Sequence, residues 1–392
     1  MLSHKNSLPI DAQTDLQPIS VVSVVRCQTY DRRLVEKAVD DSLKNIGGLD
    51  RFIKAGNWVH VKPNLLTAKS PDKAATTHPE LVRAVVKRVQ ALGAKVTIGD
   101  SPAGITRPIE SYWRNTGMEK VAHETGAELV RFEKNTVVER IVDGRSYYIA
   151  SVVAQADVII NLCKLKTHNL TLYTGAIKNM FGSIPGFRKS EYHKQAPKVE
   201  EFSQIIVDIF SVTQPQLSIM DAITIMDGNG PSAGKAKELG LIFASTDAVA
   251  IDAIAAAILG FDEGEIATTE IAFQRGLGEK RKENIIFKGI NLSDFQKTAH
   301  SFSLPSNYFL KYVPTSVIQV LGKLLWVRPK PEKIKCLRCG ECIANCPTKA
   351  MLSQDGFPII DYKKCIACFC CDEVCPYSAI DQKISWLAKK FS

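Results

Sequence analysis

Eight cysteines near the carboxyl end of the chain form two runs with the same spacing. The first run holds Cys336, Cys339, Cys342 and Cys346, and the second holds Cys365, Cys368, Cys371 and Cys375. Each run reads C-x2-C-x2-C-x3-C-P, and the second repeats the first 29 residues later. A cubane 4Fe-4S cluster needs one thiolate for each iron, and bacterial two-cluster proteins supply these thiolates with this spacing. The chain is therefore predicted to bind two 4Fe-4S clusters.

Each cluster is predicted to take its fourth thiolate from the other run, as in bacterial two-cluster proteins. The first cluster then has the ligands Cys336, Cys339, Cys342 and Cys375, and the second has Cys365, Cys368, Cys371 and Cys346. Zinc also binds paired C-x2-C units, but a zinc site does not explain the longer spacing or its duplication. Disulfides are a second alternative, and a reducing cytosol suits clustered thiolates better. Cys370 lies out of phase with the repeat and is interpreted as a thiol that binds no iron.

Residues 333–384 resemble a bacterial-type ferredoxin domain through the two cysteine runs that they contain. The resemblance implies a small α+β iron-sulfur domain that transfers electrons. Because the chain has 392 residues, this domain leaves about 300 residues for one large domain or two small ones.

The composition limits the classes of partner. The chain has a formal net charge of +9 and a hydrophobic fraction of 45%, and its basic residues form no long block. Such a distribution favours an anionic small molecule or an acidic protein over nucleic acid. Residues 1–20 lack the apolar centre of a secretory signal, and no run approaches the ~20 apolar residues of a membrane span. We therefore expect a cytoplasmic protein without a transmembrane segment.

Short apolar runs alternate with amphipathic segments between residues 21 and 287. The predicted strands cover residues 21–25, 58–61, 95–99, 127–132, 157–162, 216–220, 240–244 and 285–287. The predicted helices place apolar residues on one face and cover residues 31–46, 79–92, 109–126 with a break at Gly117, 199–212 and 247–259. Strands that alternate with helices predict an α/β core with a mostly parallel sheet and helices on both faces.

The chain is predicted to divide into five parts. They are a disordered segment over residues 1–18, the α/β core over 19–300, a linker over 301–332, the ferredoxin domain over 333–384 and a tail over 385–392. The linker is apolar and basic, and a helix that begins near Pro314 would place Val317, Leu321 and Leu324 on one face. We interpret it as a linker helix packed on the core, with docking on a membrane surface as the alternative.

Polar residues follow three of the predicted strands of the core. They are Lys62, Asn64, Asp100, Lys164, Lys166 and His168. Two later segments add Lys178, Asn179 and Asp227, the last in a glycine-rich loop after the strand over residues 216–220. Because ligands of open parallel sheets bind beyond the carboxyl ends of the strands, we expect these side chains to converge on one rim. Each residue alone is also compatible with a structural role.

Lysines beside a histidine and carboxylates can bind an anion and transfer protons. The residues predicted to be catalytic are His168, Asp100 and Lys164. The residues predicted to bind the substrate are Lys62, Asn64, Lys166, Lys178, Asn179 and Asp227. Residues 228–235 (GNGPSAGK) fail the spacing of a phosphate-binding loop, so we predict no nucleotide hydrolysis.

Five phrases of the core together resemble the family known as domain of unknown function 362. They are residues 62–65 (KPNL), 99–102 (GDSP), 164–168 (KLKTH), 175–179 (GAIKN) and 227–231 (DGNGP). The resemblance extends over residues 20–290 and implies a core that members commonly join to a C-terminal ferredoxin module. It implies no substrate, and it points to the same polar rim.

The leading hypothesis is an iron-sulfur oxidoreductase whose two clusters transfer electrons to or from an anionic small molecule bound at the rim. The alternative is an electron-transfer subunit, or a docking protein for a partner oxidoreductase, without a substrate of its own. A redox partner protein is expected in both cases. A third hypothesis is a redox-sensing protein that contacts nucleic acid, for which binding would depend steeply on salt.

Overall fold

The fold is described from a computed structural model, over residues 20–104, 107–134, 136–290, 302–305, 308, 324 and 326–390. The segment predicted to be disordered, residues 1–18, and the helix predicted to begin near Pro314 lie outside the described residues. The described chain has two parts, a large α/β domain and a small domain that carries both cysteine runs.

A mixed sheet of nine strands forms the centre of the large domain. The strands of the described residues are β1 (Ser20–Arg26), β2 (Trp58–Pro63), β3 (Lys95–Ile98), β4 (Glu128–Leu129), β5 (Val137–Val142), β6 (Arg145–Ala150), β7 (Val158–His168), β8 (Leu172–Thr174), β9 (Leu217–Asp227), β10 (Lys235–Ser245), β11 (Ile285–Gly289), β12 (Val327–Pro331), β13 (Met351–Gln354), β14 (Phe357–Ile360) and β15 (Ile380–Ile384). The sheet has the order β11-β1-β10-β9-β7-β2-β3-β4, with β8 paired to β7. Neighbouring strands are parallel except at β8 and at β10, which is antiparallel to β1 and β9. The predicted α/β fold with a mostly parallel sheet is confirmed.

Helices cover both faces of this sheet. The helices of the described residues are α1 (Arg32–Asn45), α2 (Pro79–Ala91), α3 (Ile109–Asn115), α4 (Met118–Thr125), α5 (Ser151–Ala154), α6 (Ala176–Asn179), α7 (Arg188–Gln195), α8 (Val199–Ser211), α9 (Ala248–Ile258), α10 (Ala267–Gln274), α11 (Glu341–Ala344) and α12 (Cys370–Glu373). Apolar residues of α1 to α4 form a core on one face, and those of α6 and α8 to α10 form a core on the other. Because β7 lies between these layers, it is buried along its whole length.

Two aspartates fix where long helices begin. The side chain of Asp31 accepts hydrogen bonds from the N–H groups of Arg33 and Leu34 at the start of α1. Asp247 accepts in the same way at the start of α9. A carboxylate at this position satisfies N–H groups that lack a partner within the helix and lies at the positive end of the helix dipole. Both helices therefore begin within one residue of the predicted position.

Two strands extend well beyond their predicted carboxyl ends. β7 ends at His168 and β9 ends at Asp227, so Lys164 and Lys166 lie inside a strand rather than in the loop after it. The charged side chains of these strands have buried partners in the fold, and burial of a paired charge is tolerated. Hydropathy alone therefore places the strand ends too early.

Other segments are shorter than predicted or absent from the prediction. The strand predicted over residues 127–132 is reduced to the two residues of β4. The hairpin of β5 and β6 and the helices α6, α7 and α10 were not predicted. α6 is short and α7 is rich in charged residues, so their apolar periodicity is weak.

The small domain repeats its own structure at the 29-residue offset of its sequence. β12 pairs with β15 and β13 pairs with β14, both antiparallel, while α11 and α12 occupy equivalent positions in the two halves. Non-glycine residues with positive φ also occur in pairs at this offset, Arg338 with Ala367 and Lys349 with Ser378. This backbone conformation is uncommon outside glycine. Its repetition shows that both cysteine loops turn in the same way.

Candidate functional site

A cavity in the small domain is lined by Cys336, Cys339, Cys342 and Cys375. These are the four residues that the spacing assigns to the first cluster. Burial raises the pKa of the Cys342 thiol to about 12, and the charges of the three neighbouring sulfurs contribute to the rise. Thiolates this close repel one another unless a cation binds them, and a coordinating thiol is deprotonated by its metal. The four donors therefore fit an iron-sulfur cluster.

Cys346 of the first run lies among the sulfurs of the second. Burial raises the pKa of Cys365, and the charges of neighbouring sulfurs, Cys346 among them, raise it further. The backbone N–H of Ala350 donates to Sγ of Cys346, and that of Ala379 donates to Sγ of Cys375, both at 3.2 Å. Hydrogen bonds to the sulfurs are one of the factors that set the reduction potential of a bound cluster.

Among the described residues, no three His, Cys, Asp or Glu side chains converge as they would on a single metal ion. A cubane cluster differs because its thiolates bind four separate irons, so its ligands surround a volume rather than a point. The assignment of each cysteine to one cluster stays a prediction.

A second cavity, with a volume of about 60 Å³, lies between the rim of the sheet and the small domain. We call it the interdomain pocket. Among the residues with which the core lines it are Asn64, Asp100, Lys166, Lys178, Asn179, Lys189 and His193. The small domain lines it with Asn345, Cys370, Glu373 and Val374. Five of the residues predicted for the rim are thus brought together, and α12 supplies part of the wall.

Lys62 and Asp100 form a buried ion pair beside the pocket. Nζ of Lys62 lies 2.7 Å from Oδ1 of Asp100 and donates to the carbonyl oxygen of Asn179 at 2.5 Å. Burial lowers the pKa of Lys62, and the charge of Asp100 opposes this shift. Gly182 approaches so closely that a Cβ atom there would lie 2.1 Å from Oδ1 of Asp100. The pair therefore fixes the segment between α6 and Gly182 against the sheet.

A chain of amide hydrogen bonds orders the opposite side of this segment. Nζ of Lys166 donates to Oδ1 of Asn64 at 2.8 Å, and Nδ2 of Asn64 donates to Oδ1 of Asn179 at 2.9 Å. Nδ2 of Asn179 in turn donates to Oδ1 of Asn161 at 2.7 Å. Burial lowers the pKa of Lys166 well below its ordinary value. The amide groups are held in one orientation because each has a defined donor and acceptor.

Two pocket residues on α7, Lys189 and His193, were missed by the sequence analysis. Nζ of Lys189 donates to the carbonyl oxygen and the hydroxyl oxygen of Ser101 at 2.6 and 2.7 Å, and burial lowers its pKa to about 8. His193 stacks on Phe202 at 4.0 Å, and burial lowers its pKa to about 4. Nδ1 of His193 is buried without a hydrogen-bond partner among the described residues. The sequence signal for this pair was the spacing of four residues between Lys189 and His193, which places both side chains on one face of a helix.

His168 does not face the pocket as a free base. Its Nδ1 accepts hydrogen bonds from the N–H groups of Leu170 and Thr171, and its Nε2 lies 3.0 Å from Oε1 of Glu373. Burial, with the charge of Lys178, lowers the pKa of His168 to about 3. Burial alone would raise the pKa of Glu373, but the hydrogen bond from His168 and the charge of Lys178 hold it below its ordinary value. A neutral imidazole therefore lies beside an ionised carboxylate.

Further polar contacts join the two domains around the pocket. Nδ2 of Asn169 donates to Oδ2 of Asp372 at 3.3 Å, and Nε of Arg107 lies 3.0 Å from Oε1 of Glu341. Nζ of Lys69 donates to the hydroxyl of Ser378 at 2.7 Å. The acidic residues of α11 and α12 thus face the core.

Four predicted site residues do not line the pocket. Lys62 and His168 contact its wall through Asp100 and Glu373, whereas Lys164 and Asp227 lie away from it. Nζ of Lys164 lies 2.9 Å from Oδ2 of Asp221 and donates to the hydroxyl of Tyr30 at 2.8 Å, in a separate cluster between β7, β9 and the start of α1. Asp227 accepts a hydrogen bond from the N–H of Ser303 at 3.1 Å. Their predicted roles in substrate chemistry stay predictions.

Comparison with known proteins finds a match for each domain. The family model described as "Domain of unknown function (DUF362)" matches residues 59–257, and a "4Fe-4S dicluster domain" matches residues 328–376. Both agree with the resemblances drawn from the sequence. The prediction of a 4Fe-4S iron-sulfur module of the electron-transfer type is confirmed.

Three relatives illustrate the two parts of the chain. A thylakoid-associated protein of Synechocystis sp. is 35% identical over 262 residues, which are 66% of this chain and 80% of that protein. An uncharacterized ferredoxin of Methanocaldococcus jannaschii is 43% identical over 49 residues, 12% of this chain and 32% of the ferredoxin. Pyruvate synthase subunit PorD of Pyrococcus abyssi is 39% identical over 54 residues, 13% of this chain and 51% of the subunit. None of the helices in the described part of the chain has the length and apolar character needed to cross a membrane.

Proposed function

Because this chain belongs to the DUF362 family and joins the family core to a 4Fe-4S dicluster domain, we propose that it is an iron-sulfur oxidoreductase with its own substrate pocket. Two clusters, held by the two crossed sets of four cysteines, exchange electrons with a small anionic molecule in the interdomain pocket. The family description names no activity, so the proposal is built on the pocket itself.

The observation that carries the proposal is the shared wall of the pocket. Cys370 and Glu373 of α12 line the same cavity as Lys178 and Lys189 of the core. α12 also contains Cys371, a ligand of the second cluster in the proposed assignment. A second cluster held by Cys371 would therefore lie about one turn of helix from a molecule in the pocket.

The charges around the pocket favour an anion. Lys166, Lys178 and Lys189 line it, and burial lowers the pKa of all three. Of the two carboxylates in the lining, Asp100 is paired with Lys62, and Oε1 of Glu373 lies 3.0 Å from Nε2 of His168. Buried cations are costly unless they are paired. An anionic ligand would supply the negatively charged partner that these lysines lack.

The volume of the pocket limits the size of that anion. A cavity of about 60 Å³ accommodates about four to six water molecules at roughly 10–15 Å³ each. Pockets for drug-sized ligands and cofactors occupy about 300–1,000 Å³. We infer a substrate of a few non-hydrogen atoms, such as a short carboxylic acid, rather than a nucleotide.

Protons for the reaction are best supplied from α7. Lys189, whose pKa is lowered to about 8, is protonated at neutral pH and lies close enough to neutrality to lose its proton. Neutral His193 offers Nδ1 as a hydrogen-bond acceptor toward the ligand. His168 and Asp100, already committed to Glu373 and Lys62, position the wall of the pocket. Lys164 has no part in this scheme.

A bound 4Fe-4S cluster would accept or release one electron, so a two-electron reduction of the substrate would draw one electron from each of two clusters and consume two protons, one from Lys189 and one from solvent. Two molecules of a one-electron carrier protein would then return the two electrons. In the opposite direction the substrate loses two electrons and two protons, and an oxidised carrier protein removes the electrons.

The proposal can be tested on anaerobically purified full-length protein. Iron and sulfide should amount to about eight of each per chain, and mass spectrometry of the denatured protein should detect a released small anion. Carboxylic acids of two to four carbons, added to the reduced protein, should alter its electron paramagnetic resonance spectrum. Lys178→Ala should weaken this effect about tenfold, the loss expected for one charge-assisted hydrogen bond. Lys87→Ala, on the exposed side of α2, is the matched control and should leave it unchanged.

Two results would count against the proposal. A full iron content with no bound anion and no response to any carboxylic acid would favour an electron-transfer subunit without its own substrate. PorD, by its name, is a subunit of pyruvate synthase, and the resemblance to it covers the small domain. An iron content near zero after anaerobic purification would remove the basis of both alternatives.

A further inference from the structure

The loop that carries Cys336 and Cys339 exposes large apolar side chains. Ile334 is 97% exposed and Leu337 is 65% exposed, and no other large apolar residue of the described chain is as exposed as Ile334. Leu337 also lines the cavity formed by the four cysteines of the first cluster. Single exposed apolar residues are common, but a group of them beside a functional centre is typical of an interaction site.

The same loop is basic. Lys333, Lys335 and Arg338 are exposed within six residues of one another. Among the described residues, Lys335 lies 3.3 Å from a carboxylate oxygen of Asp381, whereas neither Lys333 nor Arg338 has a carboxylate within 4.0 Å. Arg338 donates instead to the carbonyl oxygen of Asp355 at 3.1 Å. Lys333 and Arg338 therefore carry positive charge that no carboxylate of the described residues neutralises.

The acidic residues of the two cysteine helices point the other way. Glu341 faces Arg107, Asp372 faces Asn169, and Glu373 faces His168, and all three are buried. Their negative charge is thereby kept at the contact with the core. The side of the small domain that faces solvent at the first cluster remains positive and apolar.

The cysteines near this surface differ in their exposure from those near the interdomain pocket. Of the eight cysteines, Cys339 is exposed, Cys336, Cys346, Cys365 and Cys368 are half-buried, and Cys342, Cys371 and Cys375 are buried. The first cluster would thus have the one exposed ligand, which a protein in solution can approach. A second cluster held by Cys371 would lie next to Cys370 in the wall of the interdomain pocket.

We propose that Lys333, Ile334, Lys335, Leu337 and Arg338 form the docking surface for an acidic one-electron carrier protein. We name this group the basic-apolar surface. The partner would present carboxylates around an apolar centre, since complementary charge accelerates association and apolar contact completes the interface. The inference rests on the proposed iron-sulfur role but not on the identity of the substrate.

Reduction of the clusters by a carrier protein tests the surface. The probe is a reduced acidic flavodoxin, mixed with the oxidised holoprotein in a stopped-flow instrument at ~20 mM and ~500 mM salt. The second-order rate constant of the unmodified protein should fall by about tenfold or more with salt, because electrostatic steering contributes factors of about 10–10³. The charge-reversed variant Lys333→Glu/Arg338→Glu should show a similarly low rate constant at ~20 mM salt.

Three controls separate docking from damage. Lys87→Glu makes the same type of change on the exposed side of α2 and should retain the rate constant. Photoreduced 5-deazariboflavin, an uncharged small reductant, should reduce the charge-reversed and unmodified proteins equally. The charge-reversed variant should keep the response of its electron paramagnetic resonance spectrum to short carboxylic acids, so failure of the pocket and failure of the surface give different results.

A second variant examines the apolar part. Leu337→Ser keeps every charge and should slow reduction by flavodoxin at both salt concentrations. A rate constant that is insensitive to salt and to charge reversal would overturn the proposal. An equal loss in Lys87→Glu would overturn it as well, because the effect would then follow net charge rather than this surface.

Discussion

Nε2 of His168 lies 3.0 Å from Oε1 of Glu373, and this contact joins the last residue of β7 to the helix that follows the second cysteine loop. Because Nδ1 of His168 accepts two backbone N–H groups, the ring proton is on Nε2, the nitrogen next to the carboxylate. The two domains are thus connected by a close contact between an imidazole and a buried charge. The interdomain pocket depends on this connection, since Glu373 is part of its wall.

Replacing His168 by Phe would leave the buried carboxylate of Glu373 without its donor. We expect the free energy of unfolding to fall by about 2 kcal/mol, because hydrogen bonds to charged groups contribute about 1.5–3 kcal/mol. Chemical denaturation of the anaerobic protein measures the loss. The double variant His168→Phe/Glu373→Leu should lose less than the sum of its single variants. Strictly additive losses would show that the two residues are not coupled.

The affinity of the pocket for an anion should decrease at alkaline pH. The pKa of Lys189 is lowered to about 8 by burial, so its charge is present below this pH and is lost as the pH rises through it. Loss of one charged donor should weaken binding of a short carboxylic acid about tenfold between pH ~7 and ~9. Calorimetric titration measures the change. Lys189→Arg should bind equally at both pH values, and an unaltered pH profile in Lys189→Met would exclude this lysine as the cause.

Asp252 is expected to position α6, which carries Lys178. Its carboxylate accepts from the N–H groups of Ala176 and Ile177 at 2.6 and 2.9 Å. Asp252→Asn replaces one acceptor oxygen by a donor and should weaken anion binding about tenfold, since misplacement of a binding group by about 1 Å can cost up to 10²-fold in rate.

Asp247→Asn is the matched control for this change. Asp247 makes its backbone hydrogen bonds at the start of α9 rather than at α6. Its loss should lower the free energy of unfolding by about 1 kcal/mol or less and leave anion binding unaltered. Equal effects of the two substitutions on binding would refute a positioning role for Asp252.

The crossing of the fourth ligands can be tested with single cysteine variants. Cys346→Ala should remove the second cluster, so its iron content should fall from about eight to about four per chain. Its electron paramagnetic resonance spectrum should match that of Cys365→Ala and differ from that of Cys336→Ala. Cys370→Ala should keep all of the iron. A Cys346→Ala spectrum that matches Cys336→Ala would assign each run to its own cluster.

The iron-sulfur module could be predicted from the sequence because cluster ligation imposes a local spacing. The segment from Cys336 to Cys342 is seven residues long, and the same loop recurs in the second run. The core was also predictable in outline, since its long helices and buried strands have regular apolar periods. In both cases the decisive signal lies within a short stretch of chain.

The pocket was only partly predictable because its other half comes from distant parts of the chain. Asn64 and Asp100 follow strands of the core and Lys178 lies in α6, and their expected convergence on the rim of the sheet brings them together. Glu373 could not be paired with His168 without the fold, since nothing local to either residue specifies the contact. Lys189 was missed because α7 is too polar to give a helical pattern of apolar residues.

Reoxidation of the reduced clusters by a small anion tests the central claim most directly. The anion released from the anaerobically purified protein is added to protein whose clusters have been reduced, and the visible absorbance of the clusters is followed. The account predicts that one molecule of anion withdraws about two electrons, one from each cluster, and that Lys178→Ala slows this step while Lys87→Ala does not. If the anion is the electron donor, it should instead reduce clusters that were oxidised beforehand. The claim would be contradicted if the clusters exchanged electrons with a carrier protein but neither gave electrons to a small anion nor took them from one.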